Sequence, residues 1–156
     1  MGIAITLARY LVDQGVAFDL VPHPYAATAS ASAAASRVAA DSLAKAVVLK
    51  GGDGFLLAVL PASRHIQFTE LRHLLGDDVD MANEEQVETL FMDCEPGAVP
   101  ALGAAYGLGV AVDDSFAQQR DIYFEGGDHA NLVHISGASF QKLMANARHG
   151  RFTGGA

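Results

Sequence analysis

Cysteine is nearly absent from this chain: there is one, Cys94. A single thiol excludes an internal disulfide and any cysteine-rich zinc site, and it fits a reducing compartment. Cationic residues are also scarce, with 10 Lys and Arg against 18 Asp and Glu and a formal net charge of −8. Affinity for nucleic-acid phosphates comes mainly from Lys and Arg, so broad binding to DNA or RNA is not expected. A protein that grips only the end of an RNA stays compatible with this balance. No apolar run approaches the length of a membrane span. The opening MGIAITLARYLVDQG carries Arg9 and Asp13 inside its apolar pattern, unlike a signal peptide. The expectation is a cytoplasmic protein.

Several catalytic patterns are missing too. There is no G-x-S-x-G elbow, no P-loop and no H-E-x-x-H. GGDG at 51–54 lacks a phosphate-loop lysine and a following helix, so it reads as a turn. His129 and His134 are an odd number of residues apart, which on a strand puts them on opposite faces, and no metal site is expected. Among the histidines His23, in PHP after the first predicted strand, is the best functional candidate, although a structural role is the default. Asp113 and Asp114 are adjacent and would face opposite ways on a strand, so one of them is expected to cap the next turn. A nucleophilic Cys94 would need a histidine or other base beside it in space, and it reads as inert.

What is present suits one globule. At 156 residues the chain is about one domain long, and a chain of that length buries roughly 70% of its unfolded surface. The expected unit is a single domain over 1–156 with its core at about 5–145. A helix is predicted over 4–14 from Ile5, Ala8, Leu11 and Val12, ended by Gly15. VAFDLVPH reads as a strand. TASASAAASRVAA reads as a thin helix capped by Thr28, Ser30 or Ser32. AVVL and FLLAVL around KGGDG predict a hairpin covered on both faces. FTELRHLLG and NEEQVETLF predict helices, the second with Asn83 and Gln86 at capping-box spacing. VAVDD, DIYFEGG and ANLVHIS predict strands. ASFQKLMANARHG predicts a closing helix, with the basic RHGR at its end. The apolar, glycine-rich loop from Met92 to Gly109 is expected to lie against a pocket. The fold class is α+β: a curved mixed β-sheet, barrel-like and covered by helices.

Lys45 enters the hairpin on the face of Val47 and Leu49, opposite Lys50. A lysine at a strand end is ordinarily solvated. If its face lines a pocket, its cation favours an anionic group or a developing oxyanion.

The ordered set His23–Pro24, Thr28, LAKAVVLK, LAVLPASR, MANEEQVETLF, CEPGAVPALG, VAVDDS, FEGGDHANLVHIS and SFQKLM resembles the YbaK/prolyl-tRNA-synthetase-associated domain family, the aminoacyl-tRNA editing deacylases. The resemblance covers roughly residues 5–145. It implies hydrolysis of the ester of a mischarged tRNA by a free-standing, trans-acting enzyme that grips the acceptor end, with an aminoacyl-tRNA synthetase as a further candidate partner. No cofactor, metal, DNA or membrane is implied. The family's lysine falls on Lys45 and its glycine-proline loop on Gly97, Ala98, Val99 and Pro100. Here GAVP has one residue fewer than the family's G-x-x-x-P, which changes the expected pocket size. The resemblance implies Lys45 and Gly97 as catalytic, and His23, Thr28, Ala98, Val99, Pro100, Asp113 and Gly127 as substrate-binding. Two other readings stay open. One is a non-catalytic tRNA-, synthetase- or small-molecule-binding module. The other is a hydrolase of a different small aminoacyl or nucleotide ester.

Overall fold

Two apolar strands joined by a two-residue glycine turn form the centre of the molecule. In the computed structural model, which describes residues 2–154, β2 (Leu43–Gly51) and β3 (Gly54–Pro61) pair antiparallel from Ala44–Pro61 to Gly51–Gly54. The first and the last two residues of the 1–156 span lie outside the described residues. Before the hairpin come α1 (Ile5–Asp13), β1 (Asp19–Pro22) and α2 (Ala29–Ser36). After it come β4 (His65–Ile66), α3 (Phe68–Leu75), β5 (Asp80–Met81) and α4 (Glu84–Leu90). The chain then runs through β6 (Gly109–Asp113), β7 (Asp121–Glu125), β8 (Asn131–Ser136), α5 (Gly137–Leu143), β9 (Arg148–Gly150) and β10 (Thr153–Gly154).

The main sheet has the order β1-β8-β7-β2-β3-β6-β9, and β10 pairs separately with β4. The sheet is mixed. β2 lies parallel to β7, and β6 parallel to both β3 and β9, while the remaining pairs are antiparallel. This is the expected α+β architecture, open between β1 and β9 among the described residues.

Alternation along the strands separates two faces. Ala44, Val48, Leu57, Val59 and Val112 face the large core with Leu7 and Leu11 of α1 and Phe140 of α5. Leu49, Ala58, Leu60 and Ala111 face α3 and Phe152. A third small cluster joins Leu43 to Ala33 of α2.

Two sequence expectations change. In α1 the buried stripe is Leu7 and Leu11, while Ile5 and Val12 are 64% and 69% exposed. The helix meets the sheet along positions four apart that exclude both. The closing helix stops at Leu143, and RHG becomes β9, in register with Ala111–Asp113. The unpaired edge of β6 offers that segment a hydrogen-bond ladder, which outweighs its helical propensity. Phe152, beyond the expected core, is fully buried.

Hydrogen bonds tie β1, β8 and β7 through one side chain. His134 bridges Asp19 (Nδ1–Oδ1 2.7 Å) and Asp121 (Nε2–Oδ1 2.8 Å) and stacks on Tyr123. Burial lowers its pKa, but the hydrogen bonds and charges of Asp121 and Asp19 outweigh that and raise it above the usual histidine value. A raised folded pKa gives stability that is fully present below the unfolded pKa of about 6.5 and is lost as pH rises through the folded value. The expected outcome is a gap in urea midpoint between wild type and His134→Asn that is wide near pH 5.5 and closes by about pH 8.5. A gap independent of pH would sink it.

Candidate functional site

β2 has different partners along one edge. Leu43 and Ala44 pair with Tyr123 and Phe124 of β7, whereas Leu49 and Lys50 pair with Met81 and Asp80 of β5. Between those pairings, from Lys45 to Val47, that edge has no strand beside it among the described residues. A cavity of about 200 Å³ opens there, lined by Lys45, Gly97, Val99, Glu125, His129 and the start of α2.

Local chemistry positions each wall. Thr28 caps α2, its Oγ1 accepting from the Ala31 N–H at 3.1 Å. The helix is built of alanine and serine, so it lies close to the sheet and adds only small side chains, Ala27, Ala29 and Ser32, to the cavity. Lys45 sits between Leu43 of the α2 cluster and Val47 of the α3 cluster. Its partial burial lowers its pKa from the ordinary lysine value.

The loop carrying Gly97 is a turn. The Ala98 N–H donates to the Glu95 carbonyl at 2.9 Å, and Gly97 has φ +82° after Pro96. Proline second and a positive-φ glycine third are the pattern of a type II turn. No acceptor among the described residues takes the Gly97 N–H. Two bonds clamp the turn to the loop after β7. The Glu95 N–H donates to the Gly127 carbonyl at 2.8 Å, and His129 Nε2 donates to the Pro96 carbonyl at 2.7 Å. His129 itself holds φ +60° and packs against the exposed ring of Tyr25 at 5.2 Å.

Glu125 anchors that second loop. Its Oε2 accepts from the N–H of Gly127 at 2.9 Å and of His129 at 3.2 Å. Asp128 stiffens the loop further by accepting from the N–H groups of Ala130 and Asn131.

The fold brings together four of the sequence-predicted residues as cavity lining: Lys45, Thr28, Gly97 and Val99. Ala98 and Pro100 are buried behind the turn and support it. Gly127 lies one step behind Glu125, donating to it. His23 is placed differently: it is buried, its Nδ1 donates to the Pro24 carbonyl, and it does not line the cavity. Its N–H, donating to the Ala130 carbonyl, zips the loop before α2 to the loop after β7. Asp113 also stands apart from the cavity lining. It caps the 3-10 turn Asp114–Phe116, accepting from the Ser115 N–H, and its other oxygen accepts from the Phe152 N–H. It borders a separate cleft of about 320 Å³ with Arg64 and Arg151. Glu125 and His129 are the wall residues that sequence reasoning missed. Their placement beside Lys45 follows from the parallel β2–β7 register, which no local pattern announces. Cys94 lies outside the cavity wall, and burial pushes its thiol up to about 11, so it is a poor nucleophile at neutral pH.

The described residues hold no group of three His, Cys, Asp or Glu side chains placed to bind a metal. No helix among them is long and apolar enough to cross a membrane.

Comparison with known proteins gives the following. A family described as an aminoacyl-tRNA editing domain matches residues 23–143. No curated protein matches the chain in sequence. Among solved structures, a hypothetical protein superposes with TM-score 0.83 at 17% identity, over 96% of this chain and 99% of that one. A protein provisionally described as a trans-editing enzyme for prolyl tRNA synthetase superposes with TM-score 0.83 at 20% identity, over 96% of each chain. A protein from Marinobacter aquaeolei VT8, provisionally described as acting in signal transduction, superposes with TM-score 0.77 at 18% identity. That match covers 96% of this chain but 30% of the other, so the same fold also stands within a longer chain.

Gly97 is required for its backbone angle and not for space, because an added Cβ would sit 3.7 Å from His129. Gly97→Ala is expected to cost about 1–2 kcal/mol from the left-handed conformation alone. Urea unfolding measures it, and an unchanged midpoint would show that the turn readily adopts another shape.

Proposed function

The chain belongs to the aminoacyl-tRNA editing domain family, and from that premise we propose that it is a trans-acting deacylase of mischarged tRNA working in the cytoplasm as one editing unit. The observation that carries this reading is a single small cavity lined by both Lys45 and the Gly97 turn.

The chemistry asked of such a site is modest. Water attacks the carbonyl carbon of the aminoacyl ester, the bond to the ribose oxygen breaks, and that oxygen leaves with a proton. The Gly97 N–H is free among the described residues and serves as oxyanion donor. Lys45 supplies positive charge at the wall, orienting a phosphate or the attacked ester; we assign it an electrostatic role and not that of general base. A hydroxyl of the terminal adenosine assists the attacking water. His129 has its Nε2 committed to Pro96, so it positions the turn. The small volume of the cavity excludes larger acyl groups, and one methylene in such a pocket is worth only about 1–3 kcal/mol of discrimination.

An acidic chain that binds tRNA must place its few cations well. Arg64 and Arg151 flank one cleft and form no ion pair with a carboxylate among the described residues; the exposed Asp114 shares their rim. The cleft follows Pro61, which pairs with Ala44, so it lies at the Lys45 end of the hairpin. We assign these arginines to acceptor-stem phosphates. Arg148 is committed to the Leu74 carbonyl, and Lys50 lies at the far end of β2.

The reading is tested with a panel of Ala-, Cys- and Ser-charged tRNAs. Wild type is expected to release at least one amino acid, and Lys45→Ala to slow that release by about a hundredfold with an unchanged melting temperature. A folded wild-type protein that binds charged tRNA and releases nothing would favour the non-catalytic module. Release from small aminoacyl esters alone would favour the other hydrolase. Separately, Arg64→Glu with Arg151→Glu is expected to reduce the slope of log affinity against log salt by about 1.5–2. An unchanged slope would remove both arginines from the tRNA interface.

A further inference from the structure

Among the described residues Glu125 is the only carboxylate in the cavity wall, and it is largely withdrawn from water, its side chain 16% exposed. Its two oxygens are not equivalent. Oε2 takes both loop N–H groups. Oε1 receives no hydrogen bond among the described residues. The nearest charged-group nitrogen, His129 Nδ1, is 3.9 Å away. His129 Nε2 is taken up by the Pro96 carbonyl, and at 3.9 Å its Nδ1 is too far from Oε1 to hydrogen-bond to it. Lys45 lies on the neighbouring strand, yet no ion pair joins it to Glu125. Among the described residues the cavity thus carries one carboxylate and one ammonium with no ion pair between them, and Oε1 has no hydrogen-bond donor. A half-buried carboxylate with a free oxygen calls for a cation from outside.

We propose that Glu125 is a specificity-determining residue that binds the α-ammonium of the acyl group, so that the site takes esters of free α-amino acids. The proposal rests on the deacylase reading and deepens it. An aminoacyl ester carries its one positive charge on the carbon next to the reacting carbonyl. With that ammonium on Oε1, the carbonyl is held within the same small cavity as the Gly97 turn. Acyl groups whose amine is blocked, as in a formylated or peptidyl ester, lose the contact and leave the carboxylate unpaired. Penalties of that kind discriminate far better than a methylene does.

The experiment uses two pairs of probes. The first pair is alanyl- and lactyl-tRNA, which differ only in α-amine against α-hydroxyl. The second is the non-hydrolysable amides 3′-alanylamino- and 3′-lactylamino-adenosine, read by calorimetry. Wild type is expected to prefer the alanyl member of each pair by about tenfold or more, and to bind N-acetylalanylamino-adenosine no better than the lactyl amide. Glu125→Gln keeps an oxygen for both loop N–H groups and removes the charge. It is expected to bring the alanyl probe down to the lactyl level and leave the lactyl probe unchanged. An equal fall on both members would assign Glu125 to loop support or to general base catalysis and overturn the proposal. Equal wild-type affinity for the alanyl, lactyl and acetylated amides overturns it without any variant. If wild type hydrolyses neither tRNA but the amide preference appears and vanishes in Glu125→Gln, the deacylase reading fails and the α-amine site stands. If hydrolysis proceeds without preference, the converse holds.

Discussion

One strand with too few neighbours governs this structure. β2 is bound to β3 along its whole length, but its other edge is shared between β7 at the start and β5 at the end. The gap between them is where a protein interior would otherwise close. The Pro96–Val99 turn approaches from one side and the small-residue helix α2 from another, and neither brings bulk enough to fill the space. Everything else in the site is arranged to hold that opening. His129 and Glu95 tie the turn to the loop after β7, and Glu125 ties that loop to its own strand.

The electrostatics follow the same layout. A net charge of −8 would repel an RNA from most of the surface. Cations matter here by location and not by number. Lys45 is in the cavity, while Arg64 and Arg151 sit at the same end of the hairpin. Such a distribution gives local attraction for an anion at one end of the sheet against a repulsive background.

Much of the fold was legible where local chemistry decides it. The hairpin, the Thr28 cap and the Asn83–Gln86 capping box each follow from residues within a few positions of one another, and each is present. The failures arise where distant segments decide. The end of the closing helix was lost to the β6 edge, and the face of α1 was set by what it packs on. The site divides in the same way. Lys45 and Gly97 are picked out by the family resemblance, and both line the cavity. Glu125 is an unremarkable acid in FEGG until the β2–β7 register puts it beside the lysine. Asp113 has the composition of a site residue, but backbone N–H groups of Ser115 and Phe152 occupy both its oxygens.

The parallel register that pairs Leu43 with Tyr123 also has a consequence in time. Parallel contacts between remote segments form late, because the chain must close a long loop before any contact rewards it. The central hairpin, closed by a two-residue turn, forms early. A newly made chain thus has its lysine in place on the hairpin well before it has a wall opposite. The cavity comes into being only when residues 121–131 dock, and with them the clamp on the Pro96 turn. The cavity is therefore a product of the finished sheet and not of the hairpin alone.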